Sequence, residues 1–120
     1  MSDGLKGWPR LKRATSVSIR ALLWAFRNED ALRLEGLALL VFAPLAIWLG
    51  ESGVEHALLI GSLLLVLIVE ILNTAIEAAI DRIGPEWHEL SGRAKDLGSV
   101  AVMLALLNAA VIWSFILWKL

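Results

Sequence analysis

A row of polar side chains interrupts an apolar stretch in the second half of this 120-residue chain. Glu70, Asn73, Glu77 and Asp81 recur at intervals of three and four residues, so in a helix they share one face. Glu70 and Glu77 would differ by about 20° around that helix and by about 10 Å along it. Two carboxylates and an amide facing one way suit Mg²⁺, which takes one or two protein carboxylates and keeps phosphate and water as its other ligands.

The two glutamates differ in depth, and depth predicts different roles for them. Glu70 directly follows the uncharged residues 57–69, whereas Glu77 lies two turns nearer to Arg82. A carboxylate withdrawn from water becomes more basic, as a general base requires. We therefore expect Glu70 to act as a base and Glu77 as a metal ligand. In the alternative interpretation these side chains only form ion pairs with Arg82 or Arg93. A charge at bilayer depth costs roughly 2.5–3.5 kcal/mol, however, and packing helices together does not require that cost.

Residues 85–96, which we interpret as a loop, are dense in groups that suit a nucleotide. They include the aromatic Trp87, the imidazole of His88, the cations Arg93 and Lys95, and several carboxylates. The segment is not a P-loop, because it lacks the spacing Gly-x4-Gly-Lys-Ser/Thr. It also lacks the glycine-rich loop and the His-Arg-Asp set of protein kinases.

The elements that must position these groups are membrane-spanning helices. Fifty-eight per cent of the residues are apolar, and the mean hydropathy is +0.72. This apolar composition excludes a basic nucleic-acid binder. Eleven Lys and Arg nearly balance twelve Asp and Glu, so the net charge itself does not indicate a partner, and the absence of cysteine excludes a disulfide framework. We expect an all-α membrane protein with one domain over residues 1–120. Its predicted elements are a surface helix at about 9–27 and spans at 30–50, 53–83 and 92–118.

Charge placement predicts the orientation of these elements. Seven of the eleven basic residues lie at or before Arg33, where the first span begins, and only Lys119 follows the third span. The positive-inside rule places the N-terminus and residues 82–96 in the cytoplasm. The 9–27 segment has a basic stripe opposite apolar side chains, so we expect it to lie on the inner leaflet, the alternative being a solvated flanking helix. Ser52 and Glu55 have the spacing of a capping box at the start of the second span.

A joint motif is spread over several segments. It comprises EILNTAIEAAIDR at 70–82, HELSGRAKD at 88–96, NE at 28–29 and RLEG at 33–36. Together these segments resemble the signature of prokaryotic diacylglycerol kinases of the Gram-negative inner-membrane type. The resemblance runs from about Arg10 to Trp118, and it is specific because the pieces occur together.

This resemblance implies a homotrimer in which each protomer has three spanning helices and a surface helix. It implies transfer of the γ-phosphoryl group of MgATP to the free hydroxyl of diacylglycerol, giving phosphatidic acid. Glu70 resembles the proton acceptor, and Asn73 resembles a site residue near the lipid hydroxyl. Glu29 and Glu77 resemble the Mg²⁺ ligands. The positions matched to ATP are Arg10, Val17, Glu29, Glu77, Glu86, Trp87, His88, Lys95 and Asp96. The positions matched to the lipid are Arg10, Glu70, Ser99, Trp113 and Trp118.

The chain departs from the family pattern at three positions. Val17 stands where the family often has Tyr, which weakens an expected nucleotide contact. His56 stands where Arg is common, which weakens a headgroup role. Trp87 replaces a usual Tyr and keeps an aromatic face.

Two other functions compete with this interpretation. A polyprenol kinase of the same family would phosphorylate undecaprenol, although Trp113 and Trp118 resemble the diacylglycerol branch more closely. A small oligomeric proton-coupled transporter would also place a glutamate such as Glu70 in a short bundle. The transporter explains neither Glu29 and Glu77 nor the polar segment that follows them.

Overall fold

The computed structural model describes residues 6–119, which form four helices. The helices are α1 (Trp8–Asn28), α2 (Asp30–Leu49), α3 (Gly53–Ile83) and α4 (Glu89–Trp118). The described residues contain no strand, so the expectation of an all-α protein is confirmed. Three of the helices, α2, α3 and α4, are long and apolar enough to cross a membrane.

Helix α1 stands largely clear of the other helices. From Trp8 to Trp24 all of its residues except Ala14 are exposed, and it packs against α2 only near its end. Asn28 closes it by donating from Nδ2 to the carbonyl oxygen of Trp24 at 2.7 Å. Glu29 is extended, with φ −115° and ψ 115°, and serves as the N-cap residue of α2. The chain therefore turns sharply at Glu29, which brings this carboxylate to the start of the first span.

Ser52 caps α3, as the spacing predicts, but Glu55 reaches the backbone N–H of Glu51, one residue before the one that completes a capping box. Ser52 Oγ accepts a hydrogen bond from the backbone N–H of Glu55 at 3.2 Å, and Glu55 Oε1 accepts one from the backbone N–H of Glu51 at 3.0 Å. The imidazole of His56 lies against Gly50, where a Cβ would come within 2.5 Å of His56 Cδ2. These contacts fix the short turn between α2 and α3.

The link between α3 and α4 is shorter than the sequence predicts. Gly84 ends α3 at φ 153° and ψ 164°, a region essentially restricted to glycine. His88 Nδ1 then accepts a hydrogen bond from the backbone N–H of Leu90 at 3.1 Å, which caps α4. Helix α4 therefore starts at Glu89, three residues before the predicted span at 92–118, and residues 89–96 of the segment interpreted as a loop form its first two turns. The cap and the acidic Glu89 in the first turn favour this earlier helix start.

Helix α3 lies between its neighbours and carries the buried stripe of the bundle. It packs against both α2 and α4. Its buried residues recur every three or four positions: Leu59, Ser62, Val66, Glu70 and Asn73. The stripe is mostly apolar at one end and polar at the other, so the fold itself carries Glu70 and Asn73 into the interior.

Candidate active site

Glu70 and Asn73 are the polar end of the buried stripe of α3. Their exposed fractions are 7% and 8%. Asn73 Nδ2 donates to Glu77 Oε1 at 3.1 Å, one turn further along the helix. Helical spacing therefore converts the sequence pattern into a connected row that runs from a buried carboxylate towards the end of the bundle.

Helix α4 contacts this row at a glycine. A Cβ on Gly98 would lie only 2.1 Å from Asn73 Oδ1, so a larger residue would displace the amide. Asn73 Oδ1 is buried and has no hydrogen-bond partner among the described residues. An unpaired buried acceptor typically costs about 1–3 kcal/mol, so this atom is an exception to the usual pairing of buried polar groups. Ser99, the next residue of α4, is exposed.

Several carboxylates surround Glu70. Its charge interacts with those of Glu29, Glu35 and Glu77, which come from two helices and the junction before α2. Glu35 Oε2 is also buried and has no partner among the described residues. Mutually repelling carboxylates around an unsatisfied amide oxygen favour a bound cation.

The carboxylate and amide side chains around Glu70 fit Mg²⁺, provided that other ligands complete its coordination. Their oxygens are carboxylate and amide oxygens, which this hard cation prefers. Among residues 6–119 no three His, Asp or Glu side chains are grouped closely enough to hold a metal alone. Such a site requires phosphate and water as further ligands, as Mg²⁺ sites in phosphoryl-transfer proteins do.

A charged cleft lies at the end of the bundle next to this acidic group. Lys95 Nζ donates to Asp81 Oδ1 at 2.8 Å, which joins α4 to α3. The charge of Lys95 also interacts with that of Glu77. The cleft has a volume of about 230 Å³. Its charged and aromatic lining residues are Asp81, Glu86, Trp87, His88 and Lys95. The structure thus brings four of the residues matched to ATP to one cleft, and Asp96 follows directly on α4.

Arg10 and Val17 lie apart from this cleft within one chain. Both are on the exposed part of α1. Measured along the helix axis, Arg10 is about 27 Å and Val17 about 17 Å from the end of α1 at Asn28. Their assignment to the nucleotide stays a prediction.

Trp113 and Trp118 lie towards the other end of α4. They are about 21 Å and 29 Å from Ser99 along the helix axis. Trp113 Nε1 donates to Ser62 Oγ at 3.2 Å and to the carbonyl oxygen of Leu59 at 3.3 Å. Its ring also meets that of Phe42 edge-on, with centroids 5.6 Å apart. Trp113 therefore joins α2, α3 and α4, while Trp118 is exposed.

Two residues at the site were not singled out for it by their sequence pattern. Glu35 is the one charged residue in the apolar stretch 34–50. A lone carboxylate in a membrane span is itself a functional signal. Asp81 was noted only as the end of the acidic row. Its partner Lys95 lies 14 positions away, beyond the reach of helical periodicity.

Comparison with known proteins gives consistent matches over nearly the whole chain. The family model described as prokaryotic diacylglycerol kinase matches residues 16–117. The chain is 48% identical to the diacylglycerol kinase of Escherichia coli strain K12 over 119 residues, which is 99% of this chain and 98% of that protein. It is 46% identical to the diacylglycerol kinase of Haemophilus influenzae over 93% of this chain and 95% of that one. The diacylglycerol kinase of Pseudomonas aeruginosa is also 46% identical, over 95% of this chain and 93% of its own length.

Proposed function

This chain belongs to the prokaryotic diacylglycerol kinase family and is a lipid kinase, and we propose that it phosphorylates diacylglycerol with MgATP at a membrane surface. The free hydroxyl oxygen of the lipid attacks the γ-phosphorus, and the bond from that phosphorus to the bridging oxygen of ADP breaks. The products are phosphatidic acid and ADP. The observation that carries the proposal is the buried Glu70 beside the unpaired oxygen of Asn73, next to the cleft that contains Lys95.

Glu70 is the proposed general base. It lies where the apolar stripe of α3 gives way to polar residues, which is where the hydroxyl of a membrane lipid meets water-soluble phosphate. As the phosphorus–oxygen bond forms, the hydroxyl proton passes to the Glu70 carboxylate. Asn73 is the proposed site residue near the lipid hydroxyl, and its Nδ2 donates to Glu77. Ser99, adjacent on α4, would contact the same part of the lipid.

Glu29 and Glu77 are the proposed ligands of Mg²⁺. When bound with ATP, this ion supplies charge neutralisation at the phosphates. Glu77 is suited to this by its position one turn nearer the cleft than Asn73, and Glu29 by its interaction with Glu70. Lys95 would face the phosphates as a cation. The remaining proposed nucleotide contacts are Arg10, Val17, Glu86, Trp87, His88 and Asp96.

The lipid tail extends away from this end of the bundle in our proposal. Trp113 and Trp118 would contact acyl chains rather than the reacting hydroxyl, because more than 20 Å of helix separates them from Ser99. Arg10, on the basic side of α1, would contact the polar part of the lipid. We assign α1 to the membrane surface, and we expect a homotrimer because of the family membership.

Orientation can be tested with single cysteines in this cysteine-free chain. We propose the inner membrane as the location, with the N-terminus and the site in the cytoplasm, from the distribution of Lys and Arg. A Cβ at Gly53 or at Gly92 meets no atom within 4 Å, so both tolerate substitution. In intact cells Gly53→Cys should react with an impermeant thiol reagent and Gly92→Cys should not. The reverse pattern would place the site on the other side.

A substrate assay tests the activity itself. The purified protein, given MgATP in mixed micelles, should phosphorylate short-chain diacylglycerol with a higher kcat/KM than undecaprenol. A preference for undecaprenol would make it a polyprenol kinase and leave the kinase chemistry intact. Proton-driven transport without ATP use would contradict both.

A further inference from the structure

Asp81 makes a contact between helices that the proposed chemistry has not yet used. It lies one turn beyond Glu77 on α3, and its Oδ1 accepts a hydrogen bond from Lys95 Nζ on α4 at 2.8 Å. The two side chains are 68% and 45% exposed. An ion pair as exposed as this contributes about 0–1 kcal/mol to stability, so its main consequence is geometric.

The geometric consequence concerns where one ammonium group lies. Lysine carries a compact charge on a flexible four-carbon stem and has three donors. One donor to Asp81 fixes the Nζ of Lys95 at the rim of the cleft and leaves two donors for another acceptor. Both residues line this cleft together with His88.

We infer that Asp81 is a positioning residue that holds the ammonium of Lys95 at the place where the transferring phosphoryl group lies. The inference rests on the proposed function, which gives Lys95 its phosphate partner. A charge that is already in place stabilises the transition state without reorganisation at the moment of transfer. Without Asp81, Lys95 samples other rotamers and kcat falls, whereas MgATP binding, which has several contacts, changes less.

A second ion pair on α4 offers a matched control. Arg93 Nη2 donates to Glu89 Oε1 at 2.9 Å, and the two side chains are 61% and 69% exposed. This pair has similar length and exposure but lies within a single helix, so it fixes nothing between α3 and α4. Glu89→Gln therefore removes a comparable charge without affecting the position of Lys95.

The test is a double-mutant cycle on the purified full chain. Asp81→Asn should lower kcat by up to about 5-fold, the fold-change that corresponds to the roughly 1 kcal/mol upper limit of an exposed ion pair, with a smaller rise in KM for MgATP and no loss of thermal stability beyond that of Glu89→Gln. Asp81→Glu should recover part of the rate, and Glu89→Gln should keep it. In a Lys95→Met background, Asp81→Asn should add little further loss, because its effect passes through Lys95.

Each contrary outcome has a distinct meaning. Independent losses from Asp81→Asn and Lys95→Met, multiplying in the double variant, would overturn the inference. The inference would also be overturned if Asp81→Asn kept the full kcat while Lys95→Met lowered it. A full rate in Lys95→Met would instead remove Lys95 from the proposed nucleotide site, which is a failure of the proposed function.

Discussion

The two ends of the α3–α4 contact treat their polar groups in opposite ways. At the far end, formed by residues 51–62 and 113–119, the polar groups of Ser62, Trp113 and Lys119 form hydrogen bonds with neighbouring groups. Ser62 Oγ donates to the Leu59 carbonyl oxygen at 2.8 Å while it accepts from Trp113. At the site end, formed by residues 70–81 and 95–99, Asn73 Oδ1 is buried without a partner among the described residues, and Glu70 is surrounded by like charges.

This difference separates stability from function along one pair of helices. Buried polar groups in proteins are normally paired, so unpaired ones persist where something else depends on them. The far end joins three helices through Trp113 and so fixes how α3 lies against α4. The site end instead keeps a buried carboxylate and an unpaired buried acceptor.

The largest expected effect is on turnover at the site end. Glu70→Gln keeps the shape of the side chain but removes the proposed base, so kcat should fall by about 10²–10⁴-fold. MgATP affinity, measured directly by titration, should barely change because Glu70 is not assigned to the metal.

Glu77→Gln removes a proposed charged ligand of the metal instead and should weaken MgATP binding as well as turnover, with partial rescue by excess Mg²⁺. If Glu70→Gln abolished nucleotide binding and Glu77→Gln left it intact, the two roles would be reversed.

The next effect concerns the contact between Asn73 and α4. Gly98→Ala introduces a Cβ 2.1 Å from Asn73 Oδ1, so the amide must move. We expect kcat to fall by about 10–100-fold through misplacement of the reacting groups. Gly61→Ala on α3 is the matched control, because a Cβ there meets nothing within 4 Å and the residue lies outside the cleft. Equal rates in the two alanine variants would show that the position of Asn73 has no catalytic importance.

Periodicity predicted much of this arrangement and failed where a contact joins different helices. The spacing of Glu70, Asn73 and Glu77 depends only on the helix that contains them, so it correctly predicts that they lie on one face of α3. The start of α4 was misplaced because the side-chain cap by His88 depends on a backbone geometry that no spacing rule encodes. The Asp81–Lys95 pair depends on how α3 and α4 meet, which the sequence pattern of either helix leaves open.

The approach of Gly98 to Asn73 has the same origin. Small residues on α4 predict close helix packing in general, but not which side chain of α3 fills the space. The position of Glu77 on its helix predicted a metal role, whereas the roles of Glu29, Arg10 and Val17 came from family resemblance alone. No helical spacing relates these three residues to the row on α3, because they lie on α1 or at its junction with α2.

A moderate effect is expected at the far end. Trp113→Phe removes two hydrogen bonds to α3 but keeps an aromatic ring near Phe42. The free energy of unfolding in mixed micelles should fall by about 1 kcal/mol, while kcat for short-chain diacylglycerol stays unchanged. If the ring also contacts acyl chains, KM should rise for long-chain lipids only. A large loss of kcat with the short-chain lipid would mean that the two ends are not separable.

The smallest expected effect concerns Lys119, which donates to Glu51 Oε2 at 3.2 Å and also pairs with Glu55. The hydrogen bond to Glu55 raises the pKa of Lys119 above its usual 10.5. Because the folded-state pKa is the higher one, the stabilisation is fully present below about pH 10.5 and is lost as the pH rises through the folded-state pKa.

Lys119→Gln should therefore lower the unfolding midpoint slightly near neutral pH, more so at low salt, and leave kcat unchanged. The difference from the parent protein should disappear in strongly alkaline buffer, as circular dichroism in detergent can measure. Lys12→Gln removes the same charge from α1 and controls for net charge. A midpoint difference that persisted at alkaline pH would mean that Lys119 stabilises the far end through its apolar stem rather than through the ion pair.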